Sequence, residues 1–256
     1  MSDSPLKIWL DRDETLLRLR LARPKANIVD AVMIAALRAA LTDYRDHKQL
    51  RGVLLDHEGP HFSFGASVEE HLPEQCDAML KSLHALVRDM INFPLPLLVV
   101  IRGQCLGGGL EVAAAGSMLY AATDTKLGQP EIRLAVFAPA ASCLLPERIG
   151  QSRAEDLLFS GRSMDAEEAL TTGLVDSVSA DPEAAALAYF DQHLAPHSAS
   201  TLRFAVTAAR QEFRQRISAK LERVETLYLN ELMATHDASE GLTAFLEKRQ
   251  AVWKNC

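Results

Sequence analysis

Apolar and polar positions alternate near the N-terminus. Leu17, Leu19 and Leu21 are separated by Arg18 and Arg20, the two-residue period of a strand with one face in a core and the other in water. With the apolar run before it, this predicts a hairpin over 6–10 and 15–22. The period then lengthens. Behind Asp30, a good N-cap, Met33, Ala36, Leu37, Ala40, Leu41 and Tyr44 follow the i, i+3, i+4, i+7 spacing of a helix. Gly52–Asp56 is a short apolar strand, followed by a loop rich in Gly, Ser and His. A second amphipathic helix carries Cys76, Met79, Leu80, Leu83, Val87 and Met90 on one face and stops before Pro94 and Pro96. Leu97–Arg102 is continuous and β-branched, as suits a strand covered on both sides. A glycine-rich loop, a helix at about Gly108–Ala115 and a strand over Met118–Ala122 follow. Strand and helix alternating in this way predict an α/β layer with crossover connections.

Beyond residue 150 the strand signals fade. Ser152 with Glu155 and Asp165 with Glu168 each fit a capping box, and Gly161 and Gly173 stand where helices would close. Val175–Val178 predicts a last strand, and Asp181–Trp253 reads as helix. Leu221, Val224, Leu227, Tyr228 and Leu232 make one apolar stripe there, and Leu242, Phe245 and Leu246 another. The expected organisation is an α/β core over residues 1–195 and a helical assembly region over 196–256.

Size and charge narrow the function. A chain of 256 residues buries roughly 70–75 % of its unfolded surface without help from a disulfide or metal. The net charge of −7 argues against a nucleic-acid partner, which wants clustered Lys and Arg. Cys76, Cys105, Cys143 and Cys256 form no C-x-x-C pair, which suits a reducing, cytoplasmic setting. No signal-peptide pattern opens the chain, and no apolar run approaches the roughly 18 residues of a membrane span.

Three segments break the local rules. Gly107-Gly108-Gly109 follows a buried strand and precedes a helix, although each glycine inside a helix costs about 1 kcal/mol relative to alanine. Either the triplet lets backbone N–H groups approach a ligand oxygen closely, or it is a tight turn. Glu111 sits two residues on in an otherwise apolar helix, either as a solvated first-turn acid or as a buried one. Glu131, behind Pro130, is either the common start of a helix or the second member of an acid–base pair. No G-x-S-x-G elbow is present, and Gly59-Pro60 between His57 and His61 argues against a metal pair.

Taken in order, Phe62-Ser63-Phe64-Gly65-Ala66-Ser67, Arg102 to Glu111 and Lys126-Leu127-Gly128-Gln129-Pro130-Glu131 resemble the crotonase (enoyl-CoA hydratase/isomerase) superfamily, from Arg23 to Arg249. The resemblance implies a crotonase-like fold of repeated ββα units with C-terminal helices for trimers or hexamers. It implies an acyl-CoA substrate and no separate cofactor or metal. It places the Ala66 and Gly108 amides in an oxyanion hole, and Glu111 and Glu131 as the acid–base pair of a hydratase. Lys25, Ala26, Val68 and Lys248 are the implied CoA contacts. Ala26–Asp30 and the segment around Phe137–Ser142 are similar to members that hydrate a cyclic dienoyl-CoA. Two departures stand out: Ser67 replaces a common Asp, and Ala138-Pro139-Ala140-Ala141-Ser142 replaces a glycine-rich segment. With Phe64 and Phe137, the loss of those glycines implies a pocket shaped for a flat ring. The alternatives are a general enoyl-CoA hydratase or isomerase, and a non-catalytic acyl-CoA- or RNA-binding module.

Overall fold

The computed structural model describes residues 4–256. β1 (Leu6–Asp11) and β2 (Leu16–Leu21) form the expected antiparallel hairpin, with Leu6 opposite Leu21. β2 then lies parallel to β3 (Gly52–His57), β3 to β4 (Leu97–Ile101), β4 to β6 (Met118–Ala122) and β6 to β9 (Ser177–Ser179). Parallel neighbours need crossovers. α1 (Ala31–Tyr44), α2 (Cys76–Ile91) and α3 (Gly108–Ala114) stand between the successive strands of the first three such pairs.

Both faces of this sheet are covered. One face packs Leu17, Leu19, Leu55, Val99 and Ile101 against α1 and α2. The other packs Leu16, Leu54, Leu98 and Val100 against Ala186 and Phe190 of α7 (Pro182–His193). Double coverage explains why the central strands read as unbroken apolar runs.

The same coverage corrects the reading of β2. Arg18, expected on a solvent face, is only 4 % exposed, because α7 lies over that face. Its guanidinium donates to Asp56 at 2.7 Å, to Asp11 at 3.2 Å and to Glu183 of α7, and it lies 5.0 Å from the Trp9 ring. Arg20 donates to both oxygens of the fully buried Asp56, at 2.7 and 2.6 Å. The alternation marked the face that receives a helix.

A second sheet joins β5 (Gln104–Leu106), β7 (Lys126–Gly128) and β8 (Ser163–Asp165), with β5 and β7 parallel. Caps explain where the helices begin and end. Asp30 accepts from Met33 N, and Asp165 accepts from Glu168 N ahead of α6 (Ala166–Thr172). Gly161 and Gly173 close α5 (Gln151–Ser160) and α6 in left-handed conformations. Ser152 caps nothing, since α4 (Pro139–Ile149) passes directly into α5 through Gly150, whose φ is +78°. The last strand falls two residues later than expected because Leu174 and Val175 are taken into the core.

The long α8 (Ala199–Asn230) packs Ile217, Leu221 and Tyr228 inward, against α2 and α4. Leu227, from the expected stripe, is 44 % exposed. Helix ends at Leu246 with α9 (His236–Leu246), short of the expected Trp253. The remaining chain folds back along α9. Asp237 accepts from Lys254 N and Asn255 N, both at 2.7 Å, and Glu240 accepts from Val252 N at 2.8 Å.

Replacing Asp56 by alanine leaves the Arg18 charge buried without the one partner that is itself fully buried. Loss of one member of a buried pair costs about 3–5 kcal/mol, so Asp56→Ala should lower the urea midpoint markedly. An unchanged midpoint would show that Asp11 and Glu183 suffice.

Candidate active site

The pairing of β5 with β7 builds the site. Leu106 stands opposite Gly128, and the Gly107 N–H donates to the Gly128 carbonyl at 3.0 Å. This register sets the glycine loop beside Gln129-Pro130-Glu131, so Glu111 and Glu131, twenty residues apart in sequence, face one cavity. Gly107 has φ +51°, and a Cβ there would lie 2.6 Å from Glu131 Oε1. Only glycine fits both constraints. Gly108 then opens α3, where a Cβ would sit 3.0 Å from Ala66 N. Its own N–H and that of Ala66 are thus close neighbours. Among the described residues neither donates to a protein acceptor, as expected for the first N–H of a helix.

Glu111 is the buried acid of its two readings, 3 % exposed. Its Oε1 accepts from Ala141 N at 2.9 Å. Ala138, the residue at the N-cap of α4, supplies no side-chain cap, so Glu111 performs that role from another helix. Burial pushes its carboxyl up to about 7, against the opposing pull of the Ala141 and Ala140 amides. Glu131 lies on the short 3₁₀ turn Pro130–Leu134. Burial, then the nearby Glu111 charge, pushes it up to about 8. With its amide nitrogen turned toward the carboxylate, the buried Gln129 donates to both oxygens of Glu131 at 3.0 Å. The two acids titrate as a pair; burial and the Glu111 charge favour the proton on Glu131, against the pull of the Gln129 donors.

The cavity between them measures about 350 Å³. Phe64, Ala66, Val68, Gly108 and Phe137 line it together with both glutamates, as do Ala138 and Pro139 of the segment that lacks glycines. Phe137 is braced edge-on by Tyr228 from α8, at a ring separation of 5.1 Å. Leu242 and Phe245 of α9 close another wall. Lys25, Ala26 and Lys248 do not line the cavity. Ala26 still borders it, because its carbonyl accepts from Phe64 N at 2.9 Å. Both lysines are exposed.

His57 and His61 serve the backbone. Their ring nitrogens accept from Arg102 N at 3.1 Å and Gln104 N at 3.2 Å. The histidine that sequence reasoning missed is His71, which lines the cavity. Its Nδ1 is 2.6 Å from the Ser67 carbonyl, and burial holds the imidazole below its usual range. Its place five residues after Ala66, just ahead of the α2 stripe, was the available signal.

The sequence profile of the enoyl-CoA hydratase/isomerase family matches residues 11–256. A cyclohexa-1,5-dienecarbonyl-CoA hydratase of Thauera aromatica is 68 % identical over 99 % of this chain and 98 % of its own. A probable enoyl-CoA hydratase of Bacillus subtilis is 30 % identical over 96 % of this chain and 98 % of its own. The crystal structure of an enoyl-CoA hydratase/isomerase from Pseudoalteromonas atlantica superposes with a TM-score of 0.83 at 28 % identity, covering 97 % of this chain and 99 % of that one. With a profile match across nearly its whole length and a cavity that joins two glutamates to two unpaired amides, the chain belongs to the enoyl-CoA hydratase/isomerase family.

Proposed function

We propose that this protein adds water to cyclohexa-1,5-diene-1-carbonyl-CoA, giving 6-hydroxycyclohex-1-ene-1-carbonyl-CoA. The observation that carries this reading is that the buried Glu111 and the half-buried Glu131 face the same cavity as the free Ala66 and Gly108 amides. The 68 % identity to the Thauera aromatica hydratase supports the choice of substrate.

The thioester oxygen sits between the two amides. As water attacks the ring carbon β to the thioester, negative charge grows on that oxygen. Each fixed donor stabilises such charge by about 3–4 kcal/mol in comparable sites. Glu111 is the base, because the first amides of α4 favour its ionised form. Glu131 holds a proton, kept there by burial and by the charge of Glu111, and relays it. Attack on a conjugated diene yields an extended dienolate, so the proton lands on the distal ring carbon and the adduct is formally 1,4. The steps move only water and protons, and CoA enters as part of the substrate.

Lys25 and Lys248 are exposed cations suited to CoA phosphates at the edge of the site. Leu227, Phe245 and Trp253 remain 44–54 % exposed, an apolar surface suited to the trimers or paired trimers expected of the C-terminal helices. Among the described residues no helix is long and apolar enough to cross a membrane; the cytoplasmic reading rests on the four free cysteines.

Glu111→Gln and Glu131→Gln should each lower kcat at least about 100-fold, the scale of a lost acid–base group, while acyl-CoA binding by calorimetry persists. Normal turnover in both variants would refute the assigned roles. The pH dependence has a definite sign. Activity needs Glu111 ionised and Glu131 protonated, so kcat/KM should peak between about 7 and 8 and fall on either side. Residual activity of Glu131→Gln should lose its alkaline limb. Both folded-state values lie above the usual 4.5, so the unfolded chain releases these protons first. The stability they lend is fully present below the usual 4.5 and is lost as pH rises from there through 7 and 8. Thermal unfolding of the unliganded protein across that range, compared with Glu131→Gln, measures it.

A further inference from the structure

Addition across a conjugated ring separates the two ends of the reaction. Water gives up a proton at the attacked carbon, while a proton must arrive at a carbon on the opposite side of the ring. The cavity walls hold three side chains able to exchange a proton near neutrality: Glu111, Glu131 and His71. Arg133 is the remaining charged wall residue. His71 ends the 3₁₀ turn Glu69–His71, which packs against α2 and α9, the helices that give the cavity its apolar walls Leu80, Leu83 and Leu242. The Ser67 carbonyl can only accept, so the 2.6 Å contact fixes the imidazole N–H on Nδ1. That leaves Nε2 with an open lone pair, and among the described residues it has no hydrogen-bond partner. A ring held this way is aimed and neutral, yet its second nitrogen is unused by the fold.

We propose that His71 Nε2 exchanges the proton at the distal ring carbon and so fixes the 1,4 outcome. This rests on the hydratase reading above. Glu131 passes its proton through cavity water to Nε2. Glu111 takes a proton from the attacking water as its oxygen bonds to the β ring carbon, and the π pair shifts onto the thioester oxygen. That pair then returns through the ring and takes the Nε2 proton at the distal carbon. Neutral imidazole remains, and the proton on Glu111 moves to Glu131. One water has been added and every group is back in its starting state.

The test follows wild type, His71→Gln and His71→Ala with the cyclic dienoyl-CoA in deuterated water, locating deuterium in the product by NMR. Wild type should carry deuterium at the distal carbon. Both variants should lose about 100-fold in kcat with KM nearly unchanged. What product they form should carry deuterium beside the thioester, and added imidazole should partly restore His71→Ala. Two results overturn the inference: variant turnover within threefold of wild type, or slowed turnover with deuterium still at the distal carbon, which marks a structural role. If wild type itself forms no hydrated ring, the hydratase reading fails and this inference goes with it. Distal deuterium in both wild type and variants sinks the inference alone.

Discussion

The carboxylate of Glu111 against the first turn of α4 is the contact on which the site depends. α4 begins at Pro139 with no side-chain cap of its own, so its leading N–H groups need an acceptor. Glu111 is buried and needs donors. Each answers the other's deficit, and the carboxylate is thereby fixed in direction. The consequence reaches the second acid. Burial alone would lift both glutamates alike, and two equivalent carboxyls would share a proton without preference. The Ala140 and Ala141 amides act on Glu111 only, while the charge they favour there raises Glu131 further. Two identical residue types become unlike because one of them caps a helix.

That contact has value only if Glu131 arrives beside it, and the small second sheet brings it there. β5 and β7 are three residues each, too short to add much stability. Their contribution is register. With Leu106 opposite Gly128, the turn after β7 meets the turn after β5. The left-handed Gly107 leaves room for the Glu131 carboxylate where a side chain would collide with it. The glycine triplet is therefore neither merely a turn nor merely a ligand cradle: its first member makes space for an acid, and its second brings a free amide against Ala66.

Long periodic elements were legible in the chain because burial on one face leaves a regular trace. The hairpin, α1, α2, β4 and β6 fall where the spacing of Leu, Val and Met puts them. What escaped was structure too short or too indirect to leave such a trace. A three-residue strand has barely one alternation, so β5, β7 and β8 left no strand signal. Arg18 looked solvated because one sequence cannot show that Asp56 and Glu183 will meet it under α7. Ser152 had the right neighbours for a cap, yet Gly150 already turned the chain. In the site, both glutamates and both amides were legible through the order of their motifs. His71 was not, since its meaning comes from a carbonyl four residues back and a cavity wall assembled from distant helices.

Ser67 ties these strands together. The family commonly has aspartate at this position, and the sequence alone left the exchange unexplained. In the structure the Ser67 hydroxyl donates to Glu69 at 3.0 Å and accepts from Glu70 N at 3.4 Å, while its carbonyl holds His71 Nδ1. An aspartate here would crowd a third carboxylate onto a turn that already carries Glu69 and Glu70, repelling both. It would also place an anion beside the imidazole, favouring the doubly protonated ring and filling Nε2 at rest. Serine can form the same local hydrogen bonds without charge. The turn keeps its shape, and the second nitrogen of His71, on the cavity wall, keeps its lone pair.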